Sequence, residues 1–414
     1  MSALPDEPRE QRPTIAIVPG PPDRPGGLRA ALVRVAPFTA FGFVPIGIAV
    51  VFLGGAVAFD AFGLDFRQAY WPAGHAVLQG HTPYPPVDAH VLARGASFVY
   101  PPVVAIALAP FALLPVGVAT VLAVILTTAA LAGTLWTLGV RDWRCYGAAV
   151  ASPAVLGCIQ TAALSAPFVL AIALAWRGRS RGPAAPILIA AVVAAKLFLW
   201  PLLLWLAVAR GLRTSVAAAL GAVGLALTPW LLGFPGFRQY PHLLTLLTQV
   251  EGGHAYTPRA LALSLGAGTQ LAEIVAIAAG GSVLAFAVAT ARRPDAELRT
   301  LALTILAALL LSPVVWSHYF VLLLPIAAIA RPTIGWAWIA LPALWLSGGS
   351  WDAPSGLQVA IGLAVMVLAT LPGLAARVTT VSAASSSPSH RSPKTPSART
   401  RAEPSPPSGC GTAP

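Results

Sequence analysis

Long apolar runs recur along this chain, and many approach the roughly 20 residues that an α-helix needs to cross a bilayer. The run VPIGIAVVFLGGAVAF (44–59) is one example. Of the 414 residues, 57% are hydrophobic and only 10% are charged, whereas a soluble domain has roughly 25% charged residues. We therefore predict an all-α polytopic membrane protein with about 11–13 transmembrane or re-entrant helices.

Arginines cluster in short gaps between the apolar runs. These gaps are RDWR (141–144), RGRSRG (177–182), RGLR (210–213) and ARRPDAELR (291–299). Short loops rich in arginine face the cytoplasm, so the net charge of +12 indicates topology and not a nucleic-acid partner. The other gaps carry five acids, namely Asp60, Asp65, Asp88, Glu251 and Asp352, together with five of the seven histidines. They are predicted to face outward from the plasma membrane.

The two ends of the chain differ in composition from its middle. Residues 1–35 are rich in Pro, Arg and acids, which predicts an uncleaved cytosolic tail. Residues 377–414 are basic and rich in Ser and Pro, which is typical of a disordered segment. A solvated tail is the simpler interpretation there, and attraction to anionic lipid is the alternative. Residues 36–376 are predicted to form one membrane domain, with 60–97 as its long first extracytoplasmic loop.

Three apolar blocks have lengths that do not fit straight spans. Blocks 145–176, 183–209 and 300–330 each have about 30 residues, too many for one crossing and too few for two. Each block is predicted to form a hairpin of short helices. Non-helical backbone at membrane depth must be buried or line a water-filled cavity. The hairpins together therefore predict a cavity that opens outward.

Polar and aromatic residues occur where these hairpins are expected to turn. The first turn, GCIQTAALS, carries Gln160, and the second, AAKLFLWP, carries Lys196, one of only two lysines in the chain. A lysine in an apolar block is a functional candidate by default, with a snorkelling helix-end lysine as the alternative. The third turn holds Trp316, His318 and Tyr319. A lone histidine is more often structural, but the two neighbouring aromatic rings favour a functional role.

The first outward loop carries the strongest candidate for a general base. Its apolar residues recur at a spacing near 3.6 from 66 to 78, which predicts a short amphipathic helix lying along the membrane surface. Asp65 directly precedes that helix. It is either a helix N-cap or a carboxylate held above the cavity as a general base, and Asp60 is the alternative base.

These residues together resemble glycosyltransferase family 87. Asp65, Phe66 and Tyr70, followed by Tyr84 in a Pro-Tyr turn, are similar to the first loop of that family, and FVYPPVVAIALAPFALLP (98–115) is similar to the next segment. The chain departs from the family pattern at TQVEGGHAYTPRA (248–260). Later motifs have counterparts in Gln160 of GCIQ, in Lys196 with Pro201, and in Ser312, Pro313, Trp316 and His318.

The resemblance implies a GT-C-like bundle that transfers a mannosyl residue from a polyprenyl-phosphate donor to a glycolipid or lipoglycan on the outer membrane face. It implies inversion. The sequence has no second carboxylate at metal-ligand spacing, so we predict neither a metal nor a cofactor, and the high Arg and Ala content is typical of a GC-rich actinobacterium. An arabinofuranosyltransferase of the same architecture and a polytopic lipid or sugar transporter are the alternatives. In the implied site Asp65 is the base, Lys196, His318 and Arg259 bind the donor phosphate, and Tyr70, Gln160, Trp316 and Tyr319 contact the sugar or acceptor.

Overall fold

The computed structural model describes residues 27–84, 92, 97–234, 236–293, 295–348 and 354–375. Within those ranges the chain is helical and forms no strand, which confirms the predicted all-α membrane class. Most of the predicted N-terminal tail, the whole C-terminal tail and part of the 60–97 loop lie outside the described residues.

The described residues form α-helices joined by short 3₁₀ or π-helical segments. The α-helices are α1 (Gly27–Phe38), α2 (Val44–Ala58), α3 (Trp71–Leu78), α4 (Pro102–Leu108), α5 (Val116–Thr137), α6 (Trp143–Val150), α7 (Pro153–Thr161), α8 (Ser165–Arg177), α9 (Ala184–Ala195), α10 (Leu202–Arg210), α11 (Leu212–Leu231), α12 (Tyr240–Glu251), α13 (Pro258–Ser264), α14 (Thr269–Thr290), α15 (Ala296–Leu311), α16 (Leu324–Ala330), α17 (Trp336–Ile339) and α18 (Gly356–Ala375). The π-helical segments are Thr39–Phe43 and Phe66–Tyr70, and the 3₁₀ segments are Ala109–Leu113, Leu197–Leu199, Phe237–Gln239, Ser317–Leu323 and Pro342–Ser347.

Five helices in the described ranges are long and apolar enough to cross a membrane, and α7 with α8 forms a bent sixth unit. The remaining apolar helices have 10–17 residues and are too short for a straight crossing. The predicted 11–13 helices are reached only when these short elements are included. The long helices are Val33–Ala58, Val116–Thr137, Leu212–Leu231, Thr269–Thr290 and Gly356–Ala375.

All three apolar blocks are broken where the sequence predicts a turn. α7 and α8 meet at 115°, and Ala162 between them has a left-handed backbone with φ 54°. α9 ends at Ala195, and a 3₁₀ segment separates it from α10. α15 ends at Leu311 because Ser312 is extended, as expected for a residue that precedes a proline. These breaks confirm that the blocks are not straight spans.

The predicted amphipathic helix at 66–78 exists, but its apolar face does not lie on lipid. Phe66, Tyr70 and Ala73 are buried by the protein. Gly74 approaches the backbone so closely that a Cβ would lie 2.9 Å from the Leu108 carbonyl oxygen. The expected contact of this face with lipid is therefore wrong, because the face packs against α4 and the 3₁₀ turn after it. The position of the helix along the membrane surface stays a prediction.

Candidate functional site

A cavity of about 610 Å³ lies where the first loop meets the first and third hairpin turns. Asp65 and Tyr70 come from the loop, Gln160 comes from the end of α7, and Trp316 and His318 come from the segment after α15. Residues that are far apart in the sequence thus share one wall. The described wall contains neither arginine nor lysine, so its only formal charges come from carboxylates and histidines.

The Asp65 loop is fixed to the end of α7 by a backbone hydrogen bond. Gly63 donates its N–H to the carbonyl oxygen of Gln160 over 2.6 Å. Gly63 has φ +64°, and a Cβ at this position would collide with the Thr120 side chain. The first loop therefore approaches its neighbours more closely than any residue other than glycine allows.

Asp65 does not cap the helix that follows it. Its side chain makes no capping hydrogen bond, and its backbone is already helical. The carboxyl faces the cavity instead. Burial raises the pKa of the Asp65 carboxyl to about 7, while a hydrogen bond with the Thr161 side chain and the charge of Lys196 oppose that rise. Asp65, which lies outside the long membrane helices, is thus a carboxylate that can gain and lose a proton near neutral pH.

Lys196 lies directly after α9 and is enclosed by the protein, with only 5% of the residue exposed. Its ammonium donates to the Tyr100 hydroxyl over 3.4 Å and lies 3.3 Å from the centre of the Tyr319 ring. The Tyr70 hydroxyl also donates to that of Tyr100 over 3.4 Å. A snorkelling lysine would reach outward, whereas Lys196 lies behind Tyr100, which is itself part of the cavity wall.

The third hairpin turn supplies a cluster of rings. The Trp316 and His318 rings stack with centroids 5.9 Å apart, and His318 meets Tyr319 edge to face at 4.7 Å. Trp316 and His318 line the cavity. Tyr319 lies behind them, where its ring covers Lys196 and stacks on Phe198 at 5.7 Å.

Four of the predicted residues do not line the cavity: Lys196 and Tyr319 lie behind its wall, and Arg259 and Asp60 lie elsewhere. Arg259, near the start of α13, is buried against Gly252, and its Nε has no hydrogen-bond partner within the described ranges. Asp60 forms an ion pair with Arg67 at 2.8 Å, and its side chain is 86% exposed. The structure therefore separates both residues from Asp65, Gln160 and His318.

Sequence reasoning assigned no role to Tyr100, Glu251 or His254, which all line the cavity. Glu251 and His254 lie in the stretch where the sequence departs from the family pattern, and that departure was the available signal. Burial raises the pKa of Glu251, and the charge of His254 and a hydrogen bond from Trp316 oppose the rise. The cavity thus contains a second carboxylate that spacing alone could not bring beside Asp65.

One comparison with known proteins returned a match. The family model described as Glycosyltransferase family 87 matches residues 98–313, slightly more than half of the chain. The matched range includes Tyr100, Gln160, Lys196 and Glu251, but begins after Asp65. No curated protein and no solved structure matches the chain.

Proposed function

Because the chain belongs to glycosyltransferase family 87, we propose that it transfers a mannosyl residue from a polyprenyl-phosphate donor to a hydroxyl of a glycolipid or lipoglycan. The transfer takes place at the outer face of the plasma membrane and inverts the anomeric carbon. One observation carries the proposal: a single cavity combines a carboxylate with a pKa near neutrality, an imidazole, aromatic rings and an apolar wall.

In this reaction Asp65 acts as the general base. The acceptor oxygen attacks the anomeric carbon, its proton passes to the Asp65 carboxylate, and the bond from that carbon to the phosphate oxygen breaks with its electron pair. A base works best when its pKa lies near the working pH, so a value of about 7 fits this role.

The departing lipid phosphate gains negative charge and needs hydrogen-bond donors. His318 on the wall is the direct donor in our proposal. Lys196 acts from behind the wall, since its ammonium contacts the hydroxyl of Tyr100, which faces the cavity. Arg259 was the third predicted donor, but its guanidinium packs against Gly252 and it does not line the cavity, so our proposal for this step uses His318 and Lys196.

The apolar wall supports a lipid-linked donor. Val51, Phe52 and Gly55 of α2 line the cavity. In the span that contains α2, only 11% of residues are buried within the protein, so the other faces of the helix are available to lipid. We therefore propose that the donor's lipid chain lies against α2 while its sugar extends into the cavity toward Asp65.

The proposal is tested with the purified protein in nanodiscs that contain a mixed pool of actinobacterial glycolipids as acceptors. Radiolabelled polyprenyl-phosphate mannose is supplied as donor, with polyprenyl-phosphate arabinofuranose in a parallel reaction. We expect labelled glycolipid only in the reaction with the mannose donor. Treatment of that glycolipid with an α-mannosidase should release the label. Label from the arabinose donor alone would overturn the sugar assignment, and no transfer from either donor would overturn the proposed reaction.

A further inference from the structure

Glu251 occupies a position that is unfavourable for the fold. It is the last residue of α12, where the helix dipole places partial negative charge and disfavours a carboxylate. Among the described residues no ion pair joins it to a lysine or arginine. A half-buried acid at a helix C-terminus thus has a cost that no ion pair among the described residues offsets.

The side chains of Glu251 and Trp316 lie near each other, and both residues line the cavity. The indole N–H of Trp316 opposes the rise that burial causes in the pKa of Glu251. A carboxylate offers roughly four lone-pair positions. These positions can accept hydrogen bonds from a ligand in the cavity.

The two segments that carry this pair are joined rigidly. Tyr256 donates its backbone N–H to the Val315 carbonyl oxygen over 2.9 Å, directly beside Trp316. Gly252 leaves room for the Arg259 guanidinium, because a Cβ at this position would collide with its Nη1. The turn after Glu251 is therefore held by two contacts, the packing of Arg259 on Gly252 and the backbone hydrogen bond from Tyr256 to Val315.

Trp316 also connects Glu251 with His318, on which its ring stacks. The proposed phosphate donor His318 and the second carboxylate Glu251 thus line the same cavity as Trp316. A sugar bound to a phosphate beside His318 extends from that phosphate by one ring. Its apolar C–H face matches an aromatic ring, and its hydroxyls match a carboxylate.

We propose that Glu251 and Trp316 form the subsite that recognises the transferred sugar, with Glu251 accepting hydrogen bonds from two adjacent hydroxyls of that sugar. This inference rests on the proposed function, because it assumes a phosphate-linked sugar donor. It assigns sugar selectivity to the stretch in which the chain departs from its family pattern. His254, exposed at the rim and three residues from Glu251, flanks this subsite.

The test combines Glu251→Ala with donors that lack one hydroxyl. Farnesyl-phosphate mannose and its 2-, 3-, 4- and 6-deoxy analogues are compared in wild type and variant, with kcat/KM as the readout. We expect Glu251→Ala to lower kcat/KM for mannose by about 10- to 100-fold, the range of a lost charged hydrogen bond. For the two deoxy analogues that lack a contacted hydroxyl, the loss caused by Glu251→Ala should be smaller than for mannose, because only the second contact remains to be lost, whereas the other analogues should lose as much as mannose.

The controls separate recognition from folding. Glu273→Ala removes an exposed carboxylate on α14 and should leave every donor unchanged, and Glu251→Gln should give an intermediate loss. If Glu251→Ala lowers kcat/KM equally for all donors, the role of Glu251 is structural and the inference is overturned. If the variant lowers kcat/KM for none of the donors, the inference is overturned as well. If the wild type transfers no sugar from any donor, the proposed function fails first, which is a distinct result.

Discussion

The backbone N–H of Gly63 donates to the carbonyl oxygen of Gln160 over 2.6 Å and joins the loop that carries Asp65 to the end of α7. Gln160 and Asp65 both line the cavity. Their relative position is therefore set by a main-chain contact, which side-chain motion does not loosen. The proposed base is fixed to the scaffold, although it lies outside the regular helices.

Gly63→Ala is expected to misplace Asp65. Gly63 and Gly80 both have a left-handed backbone, at φ +64° and +72°, so alanine adds similar strain of about 1–2 kcal/mol at each. Only at Gly63 does the new Cβ collide with a neighbour, Thr120. Transfer should fall about 10- to 100-fold in Gly63→Ala and hardly at all in the matched control Gly80→Ala, as measured by initial rates. Equal activities of the two variants would contradict this role for Gly63.

The rate of transfer should depend on pH through Asp65. Burial raises the pKa of this carboxyl to about 7, so the base is protonated and inactive at pH 5 and ionised at pH 8. A plot of log kcat/KM should therefore rise with slope one and level off near pH 7. The profile must be recorded under conditions in which the transfer step is rate-limiting. A profile that is flat from pH 5 to 8 would then contradict the assignment of Asp65 as the general base.

Lys196→Met is expected to affect both rate and pH dependence. The charge of Lys196 lowers the pKa of Asp65, so its removal should move the acid limb of the rate profile to higher pH. It should also lower kcat about 100-fold at the optimum, because leaving-group stabilisation is lost. Tyr100→Phe, which removes the hydroxyl that Lys196 contacts, should lower kcat without the same movement of the limb. If Lys196→Met changes neither kcat nor the pH of the acid limb, Lys196 does not have the proposed role.

Two adjacent glycines of α2 provide a matched test of the apolar wall. Gly55 lines the cavity, whereas Gly54 faces a separate apolar groove, and a Cβ at either position meets no atom within 4 Å. Gly55→Phe should fill the cavity and raise KM for the polyprenyl donor about 10-fold. Gly54→Phe should leave this KM nearly unchanged. If the two variants have equal KM values in steady-state assays, the donor does not use this wall.

Much of the architecture could be predicted from the sequence because bilayer thickness fixes helix length. Blocks 145–176, 183–209 and 300–330 have the wrong length for straight spans, and each is broken where a turn was predicted. The contacts of the apolar face of the 66–78 helix were predicted incorrectly. An apolar helical face has the same pattern whether it meets lipid or protein, so periodicity could not reveal its packing against α4.

The site, like the fold, could be predicted from the sequence only in part. Asp65, Gln160, Trp316 and His318 were predicted from motifs and meet in one cavity, while Arg259 and Asp60 do not reach its wall. Tyr100 and Glu251 were missed because a single tyrosine or glutamate carries no spacing signal. Their importance depends on contacts across the fold, such as that of Tyr100 with Lys196, which is 96 positions away.

The central claim is tested most directly by comparing Asp65→Asn with Asp60→Asn at equal expression in membranes supplied with radiolabelled polyprenyl-phosphate mannose. Both changes replace a carboxylate by its isosteric amide, but only Asp65 faces the cavity, since Asp60 pairs with Arg67. We predict that Asp65→Asn lowers mannosyl transfer about 10²- to 10⁴-fold, while Asp60→Asn retains most of it. Full transfer by Asp65→Asn, or a comparable loss in both variants, would contradict the assignment of Asp65 as the base.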